Sequence, residues 1–245
     1  MRILSYNIFN CFNSTGAFDK LAELCQGLSI DTLMLNEYCD NEDGRRLDDS
    51  LRKIGFNAFE RGLSATRPGA NNNCSAIVSR TSFVTLANEL DLRLVAVEQD
   101  GLVLCAYHAS PRGVDQVLPE IEKVKAVVNE HEHVLLAGDF NSLAAADRET
   151  LGYEQHDIAP RYRENGVISY QATERLLAAG FTDLNVDPQL YTVPTGLGRK
   201  VEEGQRVRLD YAMGKGAVAQ RYKAAVLRGK PFDTMSDHYP LLITP

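Results

Sequence analysis

The chain has 245 residues, of which 44% are hydrophobic and 24% charged, and its formal net charge is −7. These values are ordinary for a globular protein and exclude collagen, coiled coils and intrinsic disorder. No stretch approaches the ~18 uninterrupted apolar residues of a membrane-spanning helix, and the net acidity argues against indiscriminate binding to long nucleic acid. Because no repeat or linker divides the chain, we expect a single domain over residues 1–245.

Short runs rich in Ile, Val and Leu alternate with segments of helical period along the chain. The predicted strands are residues 2–8, 32–36, 74–79, 92–97, 102–107, 133–137, 207–212 and 239–244. The predicted helices are residues 17–29, 46–54, 114–130 and 169–179. The Gly-Phe pairs at 55–56 and 180–181 predict helix ends followed by strand starts. This alternation predicts an α/β fold with mixed sheets.

Three polar segments rich in turn-forming residues interrupt the predicted elements. Residues 140–168 and 185–206 are long enough that we expect functional or mobile loops outside the core. Residues 67–73 are expected to form a turn that borders the cleft before the strand at 74–79.

The cysteines are odd in number and form no C-x-x-C pair; they are Cys11, Cys25, Cys39, Cys74 and Cys105. Neither a disulfide framework nor a zinc site is expected from this pattern. Buried free thiols fit a reducing compartment. The N-terminal residues have the pattern of a first strand and not of a secretory signal. We therefore predict a cytoplasmic protein.

Polar side chains end five of the predicted strands, and two more precede the last one. These residues are Asn7, Glu37, His108, Asp139 and Asp210, followed by Asp237 and His238. Burying an unpaired carboxylate costs several kcal/mol, so such groups persist only beside partners, a metal or solvent. Strand ends of α/β sheets are also where clefts and ligands collect. The pattern therefore predicts one shared site.

Carboxylates dominate the predicted site. Glu37, Asp139, Asp210 and Asp237 are hard oxygen donors without a nearby cysteine, which favours Mg²⁺ or Mn²⁺ over zinc. Other chemistries lack their motifs, because the chain has no H-E-x-x-H pair, no G-x-S-x-G elbow and no P-loop lysine.

The ordered set of motifs resembles a known superfamily. The motifs are Ser5-Tyr6-Asn7, Glu37, Gly138-Asp139-Phe140-Asn141, Arg208-Leu209-Asp210-Tyr211 and Ser236-Asp237-His238-Tyr239-Pro240-Leu241. Together they resemble the endonuclease/exonuclease/phosphatase superfamily with the deoxyribonuclease I-like fold, over residues 3–243. The resemblance implies a four-layer α/β/β/α sandwich of two packed mixed sheets flanked by helices. It also implies hydrolysis of phosphoester bonds with Mg²⁺ or Mn²⁺.

The same resemblance assigns the catalytic residues. Asp139 would position or deprotonate the attacking water, and Asn141 would donate a hydrogen bond to a phosphoryl oxygen. His238 would contact the scissile phosphate, with Asp210 holding its ring as an imidazolium. His108 matches a histidine of deoxyribonuclease I-like and sphingomyelinase-like members and would protonate the leaving oxygen.

The resemblance also assigns the metal site. Glu37 would be the principal ligand of the Mg²⁺ or Mn²⁺ ion. Asn7 would support it, because a neutral amide can orient both metal and phosphate. Asp237 would reach the metal region or brace the site.

Three functions remain open at this point. We expect a phosphodiesterase or nuclease; the alternatives are a phosphatase or phospholipid or small-molecule phosphodiesterase, and a catalytically inactive binding module of the same fold. Residues 199–230 hold nine Lys and Arg against three Glu and Asp, a net charge of +6. Such a segment is either a solvated face or a cationic wall that would admit short or single-stranded nucleic acid. No obligate protein partner is predicted.

Overall fold

The computed structural model describes residues 1–13, 16–62, 73–89, 93–156, 158–187, 191–197 and 206–245. Its strands are Ile3–Asn7 (β1), Thr32–Cys39 (β2), Ala58–Arg61 (β3), Asn73–Ser79 (β4), Val84–Glu89 (β5), Leu94–Gln99 (β6), Leu102–His108 (β7), Val134–Asp139 (β8), Arg163–Glu164 (β9), Val167–Ile168 (β10), Thr182–Asp183 (β11), Asp210–Lys215 (β12), Lys223–Val226 (β13) and Leu241–Thr244 (β14). Its α-helices are Gly16–Gly27 (α1), Glu42–Lys53 (α2), Val114–Val128 (α3), Gln171–Ala178 (α4) and Ala217–Arg221 (α5).

The strands form two six-stranded mixed sheets. The first has the order β13-β14-β1-β2-β4-β3 and the second the order β11-β12-β8-β7-β6-β5. Each sheet contains one parallel pair, β1 with β2 and β7 with β8, and its other pairs are antiparallel. Helix α1 connects the first parallel pair and α3 the second, as parallel neighbours require. The predicted sandwich of two packed mixed sheets with flanking helices is confirmed.

The predicted strands omit the four that lie at the sheet edges, namely β13, β3, β11 and β5. Strand β5 is mostly exposed and β3 half-buried, so neither carries the apolar run by which interior strands are found. The Gly-Phe pairs at 55–56 and 180–181 do mark helix ends, and the strands β3 and β11 follow them. Gly55 and Gly180 have φ of 94° and 86°, the left-handed conformation expected of a glycine that ends a helix.

The helices cover the sheets with apolar stripes. Val117, Ile121, Val124 and Val128 of α3 are all buried against the second sheet.

Helix α2 begins four residues earlier than predicted, because the Asn41 side chain accepts hydrogen bonds from the backbone of Asp43 and Gly44. Such an N-cap satisfies amides that have no partner within the helix. In the part of the chain that the structure describes, no helix is long and apolar enough to cross a membrane.

One expectation about a surface segment is wrong. Residues 140–168 are not outside the core, because Leu143, Tyr153 and Tyr162 are buried and the segment forms the β9–β10 hairpin. Of the two alternatives for residues 199–230, the basic residues of the described part, 206–230, do not favour one cationic wall. Arg208 is buried in ion pairs, and Lys215 lies at the opposite end of β12 from Asp210. Residues 198–205 lie outside the described residues, as do residues 67–72 of the predicted turn.

Candidate active site

The strand register brings the predicted residues to one edge of the sandwich. His108 and Asp139 end the parallel strands β7 and β8 and are paired residues. Asp210 starts the antiparallel strand β12 directly opposite Asp139. In the other sheet, Asn7 ends β1 and is paired with Asn36 of β2. The carboxyl ends of both parallel pairs therefore meet where the two sheets face each other.

Asn36 connects the sheets beneath the site. Its Oδ1 accepts a 2.9 Å hydrogen bond from the backbone amide of Asp139, and its Nδ2 donates to Ser75 Oγ at 3.0 Å. Gly138 makes this approach possible, because its φ is 138° and a side chain there would overlap the Tyr107 carbonyl and the Asn36 amide. Close approach and left-handed φ together explain the glycine before Asp139.

Glu37 stands on an irregularity of β2. The register with β4 shifts between Leu35 and Tyr38, and Glu37 has a φ of 58°, which few residues other than glycine adopt. Its Oε1 accepts from Asn7 Nδ2 at 3.3 Å and its Oε2 from the Asn10 backbone amide at 3.1 Å. Such strain persists at functional sites when the surroundings fix the conformation. The bulge thus turns Glu37 toward Asn7.

Asn7 and Asn141 hold Asp139 from two sides. Asn7 Nδ2 donates to Asp139 Oδ2 at 3.1 Å, and the Asn141 backbone amide donates to Asp139 Oδ1 at 2.8 Å. Asn141 Nδ2 also donates to the Ala109 carbonyl at 3.0 Å and to Asp139 Oδ2 at 3.3 Å. Asn141 is therefore fully engaged as a donor, and it must give up one of these bonds to reach a ligand.

Asp210 and Asp139 hold His238 between them. His238 Nδ1 lies 2.8 Å from Asp210 Oδ2, and His238 Nε2 lies 3.8 Å from Asp139 Oδ2. Burial disfavours the charged ring, but the two carboxylates outweigh it and raise the pKa of His238 to about 10. His238 is therefore an imidazolium at neutral pH.

His108 approaches Asp139 without the same electrostatic support. Its Nε2 lies 3.6 Å from Asp139 Oδ2, and its buried Nδ1 has no hydrogen-bond partner. Burial, followed by the positive charges of Arg93 and His238, holds the pKa of His108 well below its ordinary value of 6.5. Burial raises the pKa of Asp139, and Asp210 adds to the rise, while His238 opposes it. The site thus holds one neutral and one cationic imidazole around a single carboxylate.

Three supporting residues did not emerge as site residues from the sequence. Thr192 is fully buried, and its Oγ1 accepts from the backbone amide of Asp210 at 3.2 Å. Ser236 Oγ donates to the Asn7 carbonyl at 2.7 Å and accepts from the His238 amide at 3.3 Å. Asn36 is the third. Their only sequence signal is a polar residue within or beside an apolar run.

Asp237 lies at the margin of this cluster. It is half-buried, and its Oδ1 lies 3.4 Å from Ser236 Oγ. Its charge contributes to a raised pKa of Glu37, which burial mainly causes and His238 opposes. Asp237 thus acts on Glu37 through the electrostatic field of its charge.

The donor set fits a hard divalent cation held by few protein ligands. Glu37, Asp139, Asp210 and Asp237 bring four carboxylates to an edge where His238 is the cation among them. Within the described residues, however, no three His, Cys, Asp or Glu side chains are grouped so as to enclose an ion. Mg²⁺ commonly takes one or two carboxylates and completes its shell with water and phosphate oxygens. The residues therefore fit Mg²⁺ or Mn²⁺ and do not fit a zinc cage.

Comparison with known proteins agrees with this geometry. Two mixed sheets with this cluster between their strand ends define a deoxyribonuclease I-like sandwich. The endonuclease/exonuclease/phosphatase family matches residues 4–238. The chain therefore belongs to that family. A comparison with curated proteins found no match.

Solved structures share the fold at low sequence identity. An AP endonuclease from Archaeoglobus fulgidus matches with a TM-score of 0.74 and 15% identity, covering 100% of this chain and 98% of that one. A 3′–5′ exonuclease (NExo) from Neisseria meningitidis matches with a TM-score of 0.69 and 20% identity, covering 99% of this chain and 98% of that one. A 3′ phosphatase NExo from Neisseria bound to product DNA hairpin matches with a TM-score of 0.69 and 21% identity. The match covers 99% of this chain and 98% of that one.

Proposed function

We propose that the protein hydrolyses phosphodiester bonds with Mg²⁺ or Mn²⁺, as a nuclease or phosphodiesterase whose catalytic domain spans residues 1–245. The observation that carries this proposal is the arrangement around Asp139. A cationic His238 and a neutral His108 both face its Oδ2, which also accepts from Asn7. A buried carboxylate between two imidazoles is suited to hold a water and to move its proton.

The residues around Asp139 have different proposed roles. His238, kept cationic by Asp210, stabilises negative charge on the phosphoryl oxygens, and Asn141 adds a donor after releasing its 3.3 Å bond to Asp139. His108 protonates the leaving oxygen. It is neutral without ligand, and a bound phosphate anion would favour its charged form.

Glu37, supported by Asn7 and Asp237, would hold the divalent ion. When bound, the ion neutralises charge on the phosphate and orients the water and leaving oxygen. Glu37 suits this role because no cationic side chain pairs with it in the described part of the chain, and its two oxygens accept only amide donors.

A phosphatase is the second candidate function. One NExo structure is described as an exonuclease and another as a 3′ phosphatase, and both share this fold. The net charge of −7 also favours small substrates over long nucleic acid. The cytoplasmic location and the short or single-stranded nucleic-acid substrate stay predictions.

A substrate panel tests the proposal. Purified protein is assayed on single- and double-stranded DNA, RNA, bis-p-nitrophenyl phosphate, p-nitrophenyl phosphate and phospholipids, with Mg²⁺, Mn²⁺ or EDTA. We expect diester cleavage that EDTA abolishes and Asp139→Asn removes, with Asp115→Asn on the exposed face of α3 as the matched control. Cleavage of monoesters alone would favour the phosphatase, and activity that survives EDTA would refute the metal requirement.

A further inference from the structure

Two exposed arginines converge on one buried tyrosine beside the candidate active site. The guanidinium carbon of Arg228 lies 4.0 Å from the centre of the Tyr191 ring, and that of Arg206 lies 5.0 Å from the same centre. Arg228 Nη2 also donates a hydrogen bond to the Tyr191 hydroxyl. The Tyr239 ring packs edge-on against Tyr191, with the ring centres 6.1 Å apart, and the Arg228 guanidinium carbon lies 5.3 Å from the Tyr239 centre. We call these four residues the arginine–tyrosine cluster.

The backbone fixes the two tyrosines directly beside the catalytic residues. Tyr239 follows His238 in the chain, and its amide donates a 2.8 Å hydrogen bond to the Thr192 carbonyl. Tyr191 precedes Thr192, whose Oγ1 accepts from the backbone amide of Asp210. The tyrosines therefore lie on the same two segments that position His238 and Asp210.

The two arginines come to the cluster from different segments of the chain. Arg228 follows β13, and the amide of its neighbour Leu227 donates to the Pro240 carbonyl at 2.9 Å. Arg206 lies on the segment that leads into Asp210 at the start of β12. Both segments therefore reach the edge of the sandwich where the catalytic residues meet. Arg206 and Arg228 differ in this from Lys215, which lies at the other end of β12.

The charge of the cluster suits it to bind an anion. Among the described residues, neither Arg206 nor Arg228 forms an ion pair with a carboxylate. Asp233 does bond to the cluster, but it accepts from the Tyr239 hydroxyl at 2.6 Å. Two cations held on one ring repel each other, whereas an anion between them would attract both. The planar donor fork of arginine matches the oxygens of phosphate in particular.

We propose that Arg206 and Arg228 bind a second phosphate group of the substrate, next to the phosphate that is hydrolysed; this inference rests on the proposed function. In the described part of the chain neither arginine contacts Asp139 or His238, so the pair lies beside the site of hydrolysis and not in it. A diester that carries another phosphate nearby is then bound in preference to an isolated diester. The tyrosine rings hold the guanidinium groups in place, which reduces the entropy lost on binding.

Steady-state kinetics on three substrates test the proposal. Bis-p-nitrophenyl phosphate has one phosphate, the trinucleotide dTpdTpdT has a second diester, and pdTpdT has a terminal monoester. We expect Arg206→Gln and Arg228→Gln each to raise KM for a two-phosphate substrate about 10-fold relative to KM for bis-p-nitrophenyl phosphate, the lower range for losing a hydrogen bond to a charged group. A rise with dTpdTpdT assigns the second phosphate to a nucleic-acid strand, and a rise with pdTpdT alone assigns it to a terminal monoester.

Arg221→Gln is the matched control, because Arg221 is also exposed beside a tyrosine ring, that of Tyr222, but follows the far end of β12. Its KM values should equal those of the wild type, and Arg228→Lys should recover part of the affinity that Arg228→Gln loses. An equal rise in KM for all three substrates would place the arginines on the hydrolysed phosphate. A loss of stability in urea without any change in KM would assign them to packing alone. Either result overturns the proposal.

Binding measured without turnover separates this site from the proposed function. In EDTA, fluorescence anisotropy of labelled octathymidylate should show about 10-fold weaker binding for Arg206→Gln and for Arg228→Gln. Each variant should also depend less on salt, because one lost phosphate contact removes about 0.7 from the slope of log K against log salt. A protein inactive on all diesters that still binds in this way would refute the proposed function and leave the phosphate site standing. An active protein whose variants bind like the wild type would refute the phosphate site alone.

Discussion

The side-chain amide of Asn7, at the end of β1, donates a 3.1 Å hydrogen bond to Asp139 Oδ2, at the end of β8, and so joins the two sheets across the site. The same nitrogen donates to Glu37. Asn7→Ala should therefore lower the free energy of unfolding by about 1–3 kcal/mol, because two largely buried carboxylates lose a donor. Urea denaturation checks this, with the exposed Asn57→Ala as control. Equal stability of both variants would show that the Asn7 bond contributes nothing.

Asp139 and His238 should carry most of the chemistry. We expect Asp139→Asn and His238→Ala each to lower turnover at least ~10²-fold, the lower range for losing a proton-transfer group. Both variants should keep a wild-type circular dichroism spectrum, which separates chemistry from folding. Steady-state rates on the best diester substrate check the prediction, and turnover close to wild type in either variant would refute the assignment.

Asp210 should be the main support of the His238 imidazolium. Asp210→Asn removes the negative charge 2.8 Å from His238 Nδ1. A hydrogen bond to a charged group contributes about 1.5–3 kcal/mol, so the pKa of His238, about 10 in the wild type, should fall by roughly one to two pH units. NMR titration of the His238 ring in EDTA measures it. An unchanged midpoint would assign the shift to Asp139 instead.

His108 should make the protein less stable in acid. Its pKa is lowered in the folded state, so below pH 6.5 the unfolded chain binds a proton that the folded protein does not. The free energy of unfolding then falls with decreasing pH, by at most about 1.4 kcal/mol per pH unit from this residue. Between pH 7 and 5, His108→Gln should lose less stability than wild type in EDTA. His131→Gln is the control, and parallel curves for all three proteins would contradict the prediction.

Arg208 should be needed for folding and not for direct contact with substrate. Its guanidinium is buried, with Nε 2.8 Å from Asp147 Oδ2 and Nη2 2.6 Å from Asp183 Oδ2. Arg208→Ala leaves Asp147 buried without its partner, which should cost about 3–5 kcal/mol. Chemical denaturation measures the loss against the exposed Arg221→Ala. A loss below about 1 kcal/mol would mean that water replaces the guanidinium at little cost.

The sequence by itself determined the interior strands, four of the helices and the types of residue at the strand ends. Apolar runs and helical periods are local patterns, and a carboxylate such as Asp139 at the end of an apolar run stands out because burial without a partner is costly. The edge strands could not be predicted in this way. Strand β5, for example, is mostly exposed, and its place in the sheet depends on its pairing with β6.

Tertiary structure alone decided which of those residues meet. Asn7 and Asp139 are 132 residues apart, and their contact depends on two sheets packing with their carboxyl ends aligned. The roles of Thr192 and Arg208 could not be predicted for the same reason. Their hydrogen-bond partners, Asp210 and Asp147, are 18 and 61 residues away, and such distant pairs produce no periodic pattern in the sequence. The difference between the two histidines also belongs to the fold, since burial and neighbouring charge, not residue type, set their opposite pKa shifts.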